Sequence, residues 1–263
     1  MKIMMLTLAV FLFSNESQAK SFEVLNSQVQ QGGVLIIKIA PQWQSPAVFN
    51  PAISVFGKHY PPNKYGDVFM GIDKNIAPGK HIATLVEYGR GVRLSWDYEE
   101  VEVVERNFLV RKIVPGKPRN PIEIEAIRKA YERGNKSEKY TDTDFVMPLE
   151  RIIINNDRAV GDIFSPFGGE SHRGVDLITL DPKTKKHKRP IRAINSGQIV
   201  LAAKNFSLEG NMIIIDHGSG IFSLYMHLSK FAVKQGESVK TGQVIGTSGR
   251  TGRATGPHLH FAI

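Results

Sequence analysis

The 263-residue sequence contains no cysteine, and this absence removes several classes of protein at once. A disulfide-stabilised scaffold, an iron–sulfur protein, a zinc finger with thiolate ligands and a thiol enzyme all need cysteine. A lipid anchor attached through cysteine is excluded for the same reason. Any metal site in this chain must therefore be built from histidine and carboxylate side chains.

Long apolar runs are missing as well. The longest, Ile3–Phe13, is interrupted by Thr7 and is too short for a membrane-spanning helix of about 20 residues. It follows a basic start and precedes Ser17-Gln18-Ala19, a small-x-small cleavage pattern, so residues 1–19 have the layout of a secretory signal peptide. We therefore expect an exported protein of the periplasm or extracellular cell envelope, without a membrane span in its mature part. The alternative is that this run forms a hydrophobic core strand.

Acidic residues are too few to balance the basic ones, which leaves a net charge of +9. A charge of this sign favours an anionic partner, which could be a nucleic acid, a membrane surface or an anionic polymer. The excess is local: residues 20–106 are balanced, whereas residues 151–263 hold 15 basic and 8 acidic side chains. The anionic partner is therefore expected to meet the carboxyl-terminal part of the chain.

With 41% hydrophobic and 22% charged residues, the composition is typical of globular proteins. The fold is predicted to be mainly β. Short β-type runs punctuated by Pro and Gly predict a small β-sandwich over residues 20–106. Residues 107–149 are predicted to be a helical connector. Residues 150–263 return to β-type runs with Gly-rich turns, which favours an antiparallel sheet with a groove.

The helix of the connector has a clear start and stop. Asn120 is a suitable N-cap, Pro121 suits the first helical position and Gly134 should end the helix. Apolar side chains then recur at helical spacing and should form the buried face; these are Ile122, Ala126, Ile127, Ala130 and Tyr131.

Histidine is concentrated in the carboxyl-terminal part, where three local patterns could build a metal site. In His258-Leu259-His260 both imidazoles lie on one face of a strand and Leu259 on the other. His227 would share a strand face with Ser223 and Tyr225. His172 and Asp176 flank a glycine at which the chain can turn.

Imidazole and carboxylate suit Zn²⁺, and three protein ligands with an open position form a catalytic site. Five candidates for three ligand places leave two histidines for acid–base work. Each pattern alone is weak, and it is their occurrence together that favours a metal site.

Other histidines and glycines have plainer interpretations. His217, at a strand end, is expected to be structural, and His187 lies in a basic run that reads as a solvated loop. His59 and His81 stand alone. The glycines at 246, 249, 252 and 256 are not followed by the Lys and helix of a phosphate-binding loop, so that interpretation is discounted.

An ordered series of motifs over Gly161–Phe261 resembles the lysostaphin-type (LytM-like) zinc metallopeptidases. The main motifs are Ser165-Pro166-Phe167-Gly168, His172-Arg173-Gly174-Val175-Asp176, Gly210-Asn211, Tyr225-Met226-His227-Leu228-Ser229 and Thr255-Gly256-Pro257-His258-Leu259-His260-Phe261. The resemblance implies that His172, Asp176 and His260 bind Zn²⁺ and that His227 and His258 are the two catalytic histidines. Relatives usually continue with another strand segment after the position of Ile263, so the domain is expected to be truncated there.

The resemblance further implies an exported endopeptidase that hydrolyses peptides of peptidoglycan, the anionic polymer of bacterial cell walls. The alternative is a non-catalytic wall-binding or regulatory module that activates another hydrolase through a protein partner. The complete set of five site residues argues against it, because a pure binder needs no open metal site. A nucleic-acid binder is not expected, since the chain lacks a basic face interleaved with aromatic residues.

Overall fold

The computed structural model describes residues 20–44, 50–108, 110–112, 119–134, 145–150, 163–165, 170–180, 184 and 186–263. The predicted signal peptide, residues 1–19, lies outside these ranges, as do residues 166–168 of the Ser165–Gly168 motif. Strands dominate the described residues, so the prediction of a mainly β fold is confirmed. No helix within the described ranges is long and apolar enough to cross a membrane.

Eight strands and one 3₁₀ turn (Pro41–Trp43) form the amino-terminal region. The strands are β1 (Phe22–Val24), β2 (Gln28–Gln30), β3 (Val34–Ile39), β4 (Pro51–Val55), β5 (Lys58–Tyr60), β6 (Asp67–Gly71), β7 (Gly79–Glu87) and β8 (Arg93–Val104). They form two sheets, with orders β1-β3-β6 and β2-β8-β7-β4-β5. Alternate side chains of β3, such as Leu35 and Ile37, pack against Leu85 and Val101 of the larger sheet, giving a two-layer β-sandwich.

The connector contains strand β9 (Val110–Lys112) and helix α1 (Pro121–Gly134). The backbone N–H of Ile122 donates to Asn120 Oδ1 at 3.0 Å, so Asn120 caps the helix and satisfies one of its unpaired donors. β9 pairs in parallel with β10 (Ile163–Ser165), which pairs with β11 (Glu170–Ser171). The connector is therefore hydrogen-bonded into the carboxyl-terminal region.

Nine further strands complete the carboxyl-terminal region. They are β12 (Val175–Ile178), β13 (Pro190–Arg192), β14 (Gly197–Phe206), β15 (Gly210–Asp216), β16 (Phe222–Met226), β17 (Lys230–Phe231), β18 (Ser238–Val239), β19 (Val244–Thr247) and β20 (His258–Ala262). A six-stranded antiparallel sheet has the order β12-β20-β16-β15-β14-β18, and a three-stranded sheet has the order β13-β19-β17.

Both faces of the six-stranded sheet carry apolar side chains. On the inner face, Leu177, Tyr225 and Leu259 pack in one buried cluster with Ile245 of the small sheet. On the outer face, residues of β14, β15 and β16 pack against Ala130 and neighbouring residues of α1. The strand alternation that sends Leu177 and Leu259 inward turns Asp176, His258 and His260 outward, to the face that α1 covers in part.

The predicted apolar face of α1 is correct except at its start. Ala130 is buried, and Ile127 and Tyr131 pack against the sheet, whereas Ile122 is 77% exposed. Glu123, the next residue, is the one that contacts the sheet here, because its carboxylate accepts hydrogen bonds from Ser207 at 3.0 Å. The first turn of α1 is thus held by polar contacts rather than by Ile122.

Candidate metal centre

The register of two strands brings Asp176 and His260 together. They are direct partners in the antiparallel pairing of β12 with β20, and Asp176 Oδ1 lies 3.1 Å from His260 Nδ1. His172, just before β12, reaches the same point, with its Nε2 at 2.8 Å from His260 Nδ1 and 3.2 Å from Asp176 Oδ1. Three buried donors, two from one segment and one from a distant strand, therefore converge on one small volume.

Gly174 lets this convergence occur, and the chain bends at this residue between His172 and Asp176. It is not among the residues with positive φ. A Cβ at this position would instead lie 2.7 Å from His260 Nε2 and 2.5 Å from the Phe261 carbonyl oxygen. The glycine is required because the backbone passes against the His260 ring at this bend.

Asp176 is ionised in this cluster. Burial alone would raise the pKa of its carboxyl, but hydrogen bonds from His172 and His260 and the proximity of His258 hold that pKa well below its usual value. Burial lowers the pKa of His260. A carboxylate and neutral imidazoles are the protonation states in which these side chains bind a divalent cation.

His258 lies beside the three converging donors and is oriented by the turn before β20. Its Nδ1 is 2.8 Å from the Gly256 carbonyl oxygen, which can only accept a hydrogen bond, so Nδ1 carries the proton. Its Nε2 faces Asp176 Oδ1 at 3.6 Å. The hydrogen bond to Gly256 thus orients the ring with Nε2 directed towards the cluster.

His227 completes the group, but not from a strand position. β16 ends at Met226, and His227 has a φ of 63°. This is the left-handed region, which residues other than Gly rarely adopt. The expectation that His227 shares a strand face with Ser223 and Tyr225 was therefore wrong, because the chain leaves the sheet at this residue. Its ring centroid lies 4.7 Å from that of His258 and 6.3 Å from that of His260.

The tautomer of His227 is set in the same way as that of His258. Nδ1 lies 2.9 Å from the Thr251 carbonyl oxygen, so it carries the proton and Nε2 is the acceptor. Burial, followed by the proximity of His258, lowers the pKa of His227 to about 4. His227 is therefore a neutral imidazole at pH 7, able to accept a proton.

The five site residues predicted from the sequence all lie together, and the remaining histidines do not join them. His217 is buried in the inner core, where its Nε2 lies 2.7 Å from Ser223 Oγ. His187 is exposed, as predicted for a solvated loop. His59 and His81 lie in the amino-terminal sandwich, on β5 and β7.

Sequence reasoning missed the residues that hold His227 in place. Thr251 supplies the carbonyl that orients the ring, and Glu209 supplies the carbonyl that accepts the His227 backbone N–H at 3.0 Å. A Cβ at Gly249 would lie 2.8 Å from the His227 carbonyl oxygen, and one at Gly252 would lie 2.3 Å from the Gly210 nitrogen. The glycine spacing that first suggested a phosphate loop was the available signal, since it marks where three chain segments pack closely.

Comparison with known proteins places this cluster in a family. Residues 170–263 match the profile of Peptidase family M23, and this stretch holds all five site residues. These residues form an M23 peptidase domain. The recognition made from the motifs is thereby confirmed, and the domain belongs to a family of metallopeptidases.

Relatives of known name extend the comparison beyond the M23 domain. The peptidoglycan DD-endopeptidase ShyA of Vibrio cholerae is 31% identical over 194 residues, which cover 68% of this chain and 42% of ShyA. Lysostaphin of Staphylococcus staphylolyticus is 51% identical over 94 residues, covering 35% of this chain and 18% of lysostaphin. The chain thus spans less than half of the length of these relatives.

One solved structure is similar over most of the chain. A Pseudomonas aeruginosa protein assigned to peptidase M23 has 26% sequence identity and a TM-score of 0.58, covering 88% of this chain and 87% of that one. The similarity therefore includes the amino-terminal sandwich and the connector as well as the M23 domain.

Proposed function

We propose that this chain is an exported zinc metalloendopeptidase that hydrolyses peptide bonds in bacterial cell-wall peptidoglycan. The observation that carries the proposal is the convergence of five side chains, of which three are placed to bind a metal and two are imidazoles oriented by backbone carbonyls. The name of ShyA as a peptidoglycan DD-endopeptidase supports the substrate class. The same five residues suit several wall peptides.

The donor set fits a zinc ion. His172 Nε2, Asp176 Oδ1 and His260 Nδ1 are 2.8 to 3.2 Å apart. Donors bound to tetrahedral zinc at about 2.0–2.2 Å are about 3.3–3.6 Å apart, so small side-chain shifts suffice. Two imidazoles and one carboxylate, with no thiolate, form the ligand type of a catalytic zinc site rather than a structural one.

The two remaining histidines would supply proton transfer. A bound zinc ion would polarise the scissile carbonyl and lower the pKa of water at the site. The Nδ1 of His227 is held by the carbonyl of Thr251 and that of His258 by the carbonyl of Gly256, which leaves the Nε2 of each ring for the reaction. In this position one of the two rings can accept a proton from the attacking water, and the N–H so formed can then donate a hydrogen bond to the oxyanion of the tetrahedral intermediate.

Charge and the start of the sequence support the proposed location. Residues 151–263 carry most of the net charge of +9, which would attract an anionic wall polymer and raise the rate of encounter. The signal-like residues 1–19 support export to the cell envelope.

Mass spectrometry of muropeptides tests this function. Purified full-length chain would be incubated with defined peptidoglycans after zinc loading, after chelation and after chelation followed by zinc. We expect cleaved peptides in the first and third samples and none in the second. His187→Ala is a matched control because His187 is exposed and is not one of the converging side chains, and it should match wild type.

The same assay separates the alternative function. A wall-binding or regulatory module would bind peptidoglycan without releasing any peptide, whether or not zinc is present. Binding without release by zinc-loaded wild-type chain would therefore reject the endopeptidase and favour the module.

A further inference from the structure

We propose that Arg119 and Glu123 of the connector are positioning residues for His227, acting through the hairpin that joins β14 to β15. The role is stated for the peptidase reaction and so rests on the proposed function. Neither residue contacts the reacting atoms. Their effect passes through the hairpin backbone at residues 207–210, and the contacts below describe each step.

The first step joins the connector to the hairpin. Arg119, one residue before the N-cap of α1, forms an ion pair through its guanidinium Nη2 with Glu209 Oε1. Glu123, in the first turn of α1, accepts hydrogen bonds from the Ser207 backbone N–H at 3.0 Å and from its hydroxyl. Two charged side chains at the start of α1 therefore bind the two neighbours of Leu208 in the hairpin, Ser207 and Glu209.

The second step joins the hairpin to His227. The Glu209 carbonyl oxygen accepts the His227 backbone N–H at 3.0 Å. The Leu208 carbonyl oxygen accepts the N–H of Arg253, in the loop whose Thr251 orients the His227 ring. Gly210 packs so closely on this loop that a Cβ would lie 2.4 Å from Thr251. Both the backbone and the ring of His227 thus depend on where this hairpin lies.

His227 needs such support because its backbone is in the left-handed region. A residue other than Gly stays in that conformation only where its surroundings fix it. The hydrogen bond to Glu209 and the contact with Thr251 supply that constraint. Weakening the hairpin would let the backbone relax and move the ring away from His258.

Glu209 makes the arrangement depend on Arg119. Its side chain is 1% exposed, and its Oε2 has no hydrogen-bond partner among the described residues. A buried carboxylate that loses its cation is strongly unfavourable, so without Arg119 it would move towards water. That movement would displace the carbonyl that holds His227. The metal ligands stand on or before β12 and on β20, outside the hairpin, so they should stay in place.

The test compares two arginines of the connector, one before α1 and one within it, in the full-length, zinc-loaded chain. Arg119→Met removes the partner of Glu209, whereas Arg128→Met removes an exposed side chain that pairs with Glu125 and Glu132 within α1. We expect Arg119→Met to lower kcat about 10- to 100-fold through misplacement of His227, with KM and zinc content unchanged. Arg128→Met should match wild type.

A double variant distinguishes positioning from general damage. In Arg119→Met/Glu209→Gln the buried charge is absent, so kcat should recover most of the loss while the connector is still altered. Recovery of kcat in the double variant, together with an intermediate kcat in Arg119→Lys, supports the proposal. Equal loss in the single and double variants would overturn it, as would normal kcat in Arg119→Met.

A spectroscopic readout keeps the inference separate from the proposed function. The NMR resonances of the His227 imidazole should shift in Arg119→Met and not in Arg128→Met, while those of His172 change little. Unchanged His227 resonances would overturn the positioning role whether or not the chain cleaves peptidoglycan. An inactive wild type with the predicted shift would reject the peptidase and leave the connector–hairpin coupling supported.

Discussion

His217 should make the stability of the carboxyl-terminal domain sensitive to mild acid. Its side chain is 0% exposed; its Nδ1–H donates to the Ser196 carbonyl at 2.8 Å, and its Nε2 lies 2.7 Å from Ser223 Oγ. Burial lowers the pKa of His217 to about 4, an effect that the Ser196 hydrogen bond only partly offsets. The fold therefore holds the neutral ring.

The sign and size of the effect follow from linkage. The unfolded chain takes up the proton near pH 6.5, whereas the folded chain takes it up only near pH 4. Stability is therefore complete above pH 6.5, falls by about 1.4 kcal/mol per pH unit below it, and levels off near pH 4. The total loss from this residue is on the order of 3 kcal/mol.

Urea unfolding at pH 7.5 and pH 4.5 would measure this loss, with His217→Gln as the reference. Glutamine keeps a hydrogen-bond donor and an acceptor but does not titrate. The difference in stability loss between the two proteins therefore isolates His217 from the other histidines. Wild type should lose more stability between the two pH values than the variant. Equal losses in both proteins would refute the reasoning, because His217 would then titrate alike in the folded and unfolded states.

Three further outcomes are expected. Gly174→Ala should weaken zinc affinity about 10-fold without removing a ligand, because the new Cβ would press on His260. Gly71→Ala, which has open space around it, should leave the affinity unchanged. Competition with a zinc indicator measures both affinities. Tyr225→Phe should lower the free energy of unfolding by about 1–3 kcal/mol in urea, since the buried Ile194 N–H loses its acceptor; an unchanged midpoint would contradict this. Asn120→Ala should cost about 1 kcal/mol of stability by loss of the helix cap, seen as a lower Tm.

The common orientation of the two histidines on β20 could be predicted from a local pattern. Alternation along a strand was enough to place His258 and His260 on one face, with Leu259 in the core. The pairing of Asp176 with His260 needed the strand register, which joins residues 84 positions apart and is not visible in either motif alone. The resemblance to a known family supplied that link.

The position of His227 could not be derived from strand alternation. The run from Ser223 reads as a continuous strand, yet the chain leaves the sheet after Met226 because His227 takes a left-handed conformation. That conformation depends on contacts with Glu209 and Thr251, which belong to other segments. Tertiary contacts therefore overrode the local pattern here.

In the connector, too, some features could be predicted from neighbouring residues and others depended on tertiary contacts. Its cap, start and end at Asn120, Pro121 and Gly134 were readable because they are set by neighbouring residues. The exposure of Ile122 could not be predicted from the sequence, since it follows from how the first turn of α1 contacts the hairpin at Ser207.

The central claim is that three residues of the cluster hold the metal and two others act without holding it. The most direct measurement is bound zinc and peptide release on the same preparations of His260→Ala and His227→Ala. The account predicts that His260→Ala loses both, whereas His227→Ala keeps its zinc and loses about 10²–10⁴-fold in turnover. Full turnover in His227→Ala, or a His260→Ala variant that keeps both zinc and activity, would contradict it.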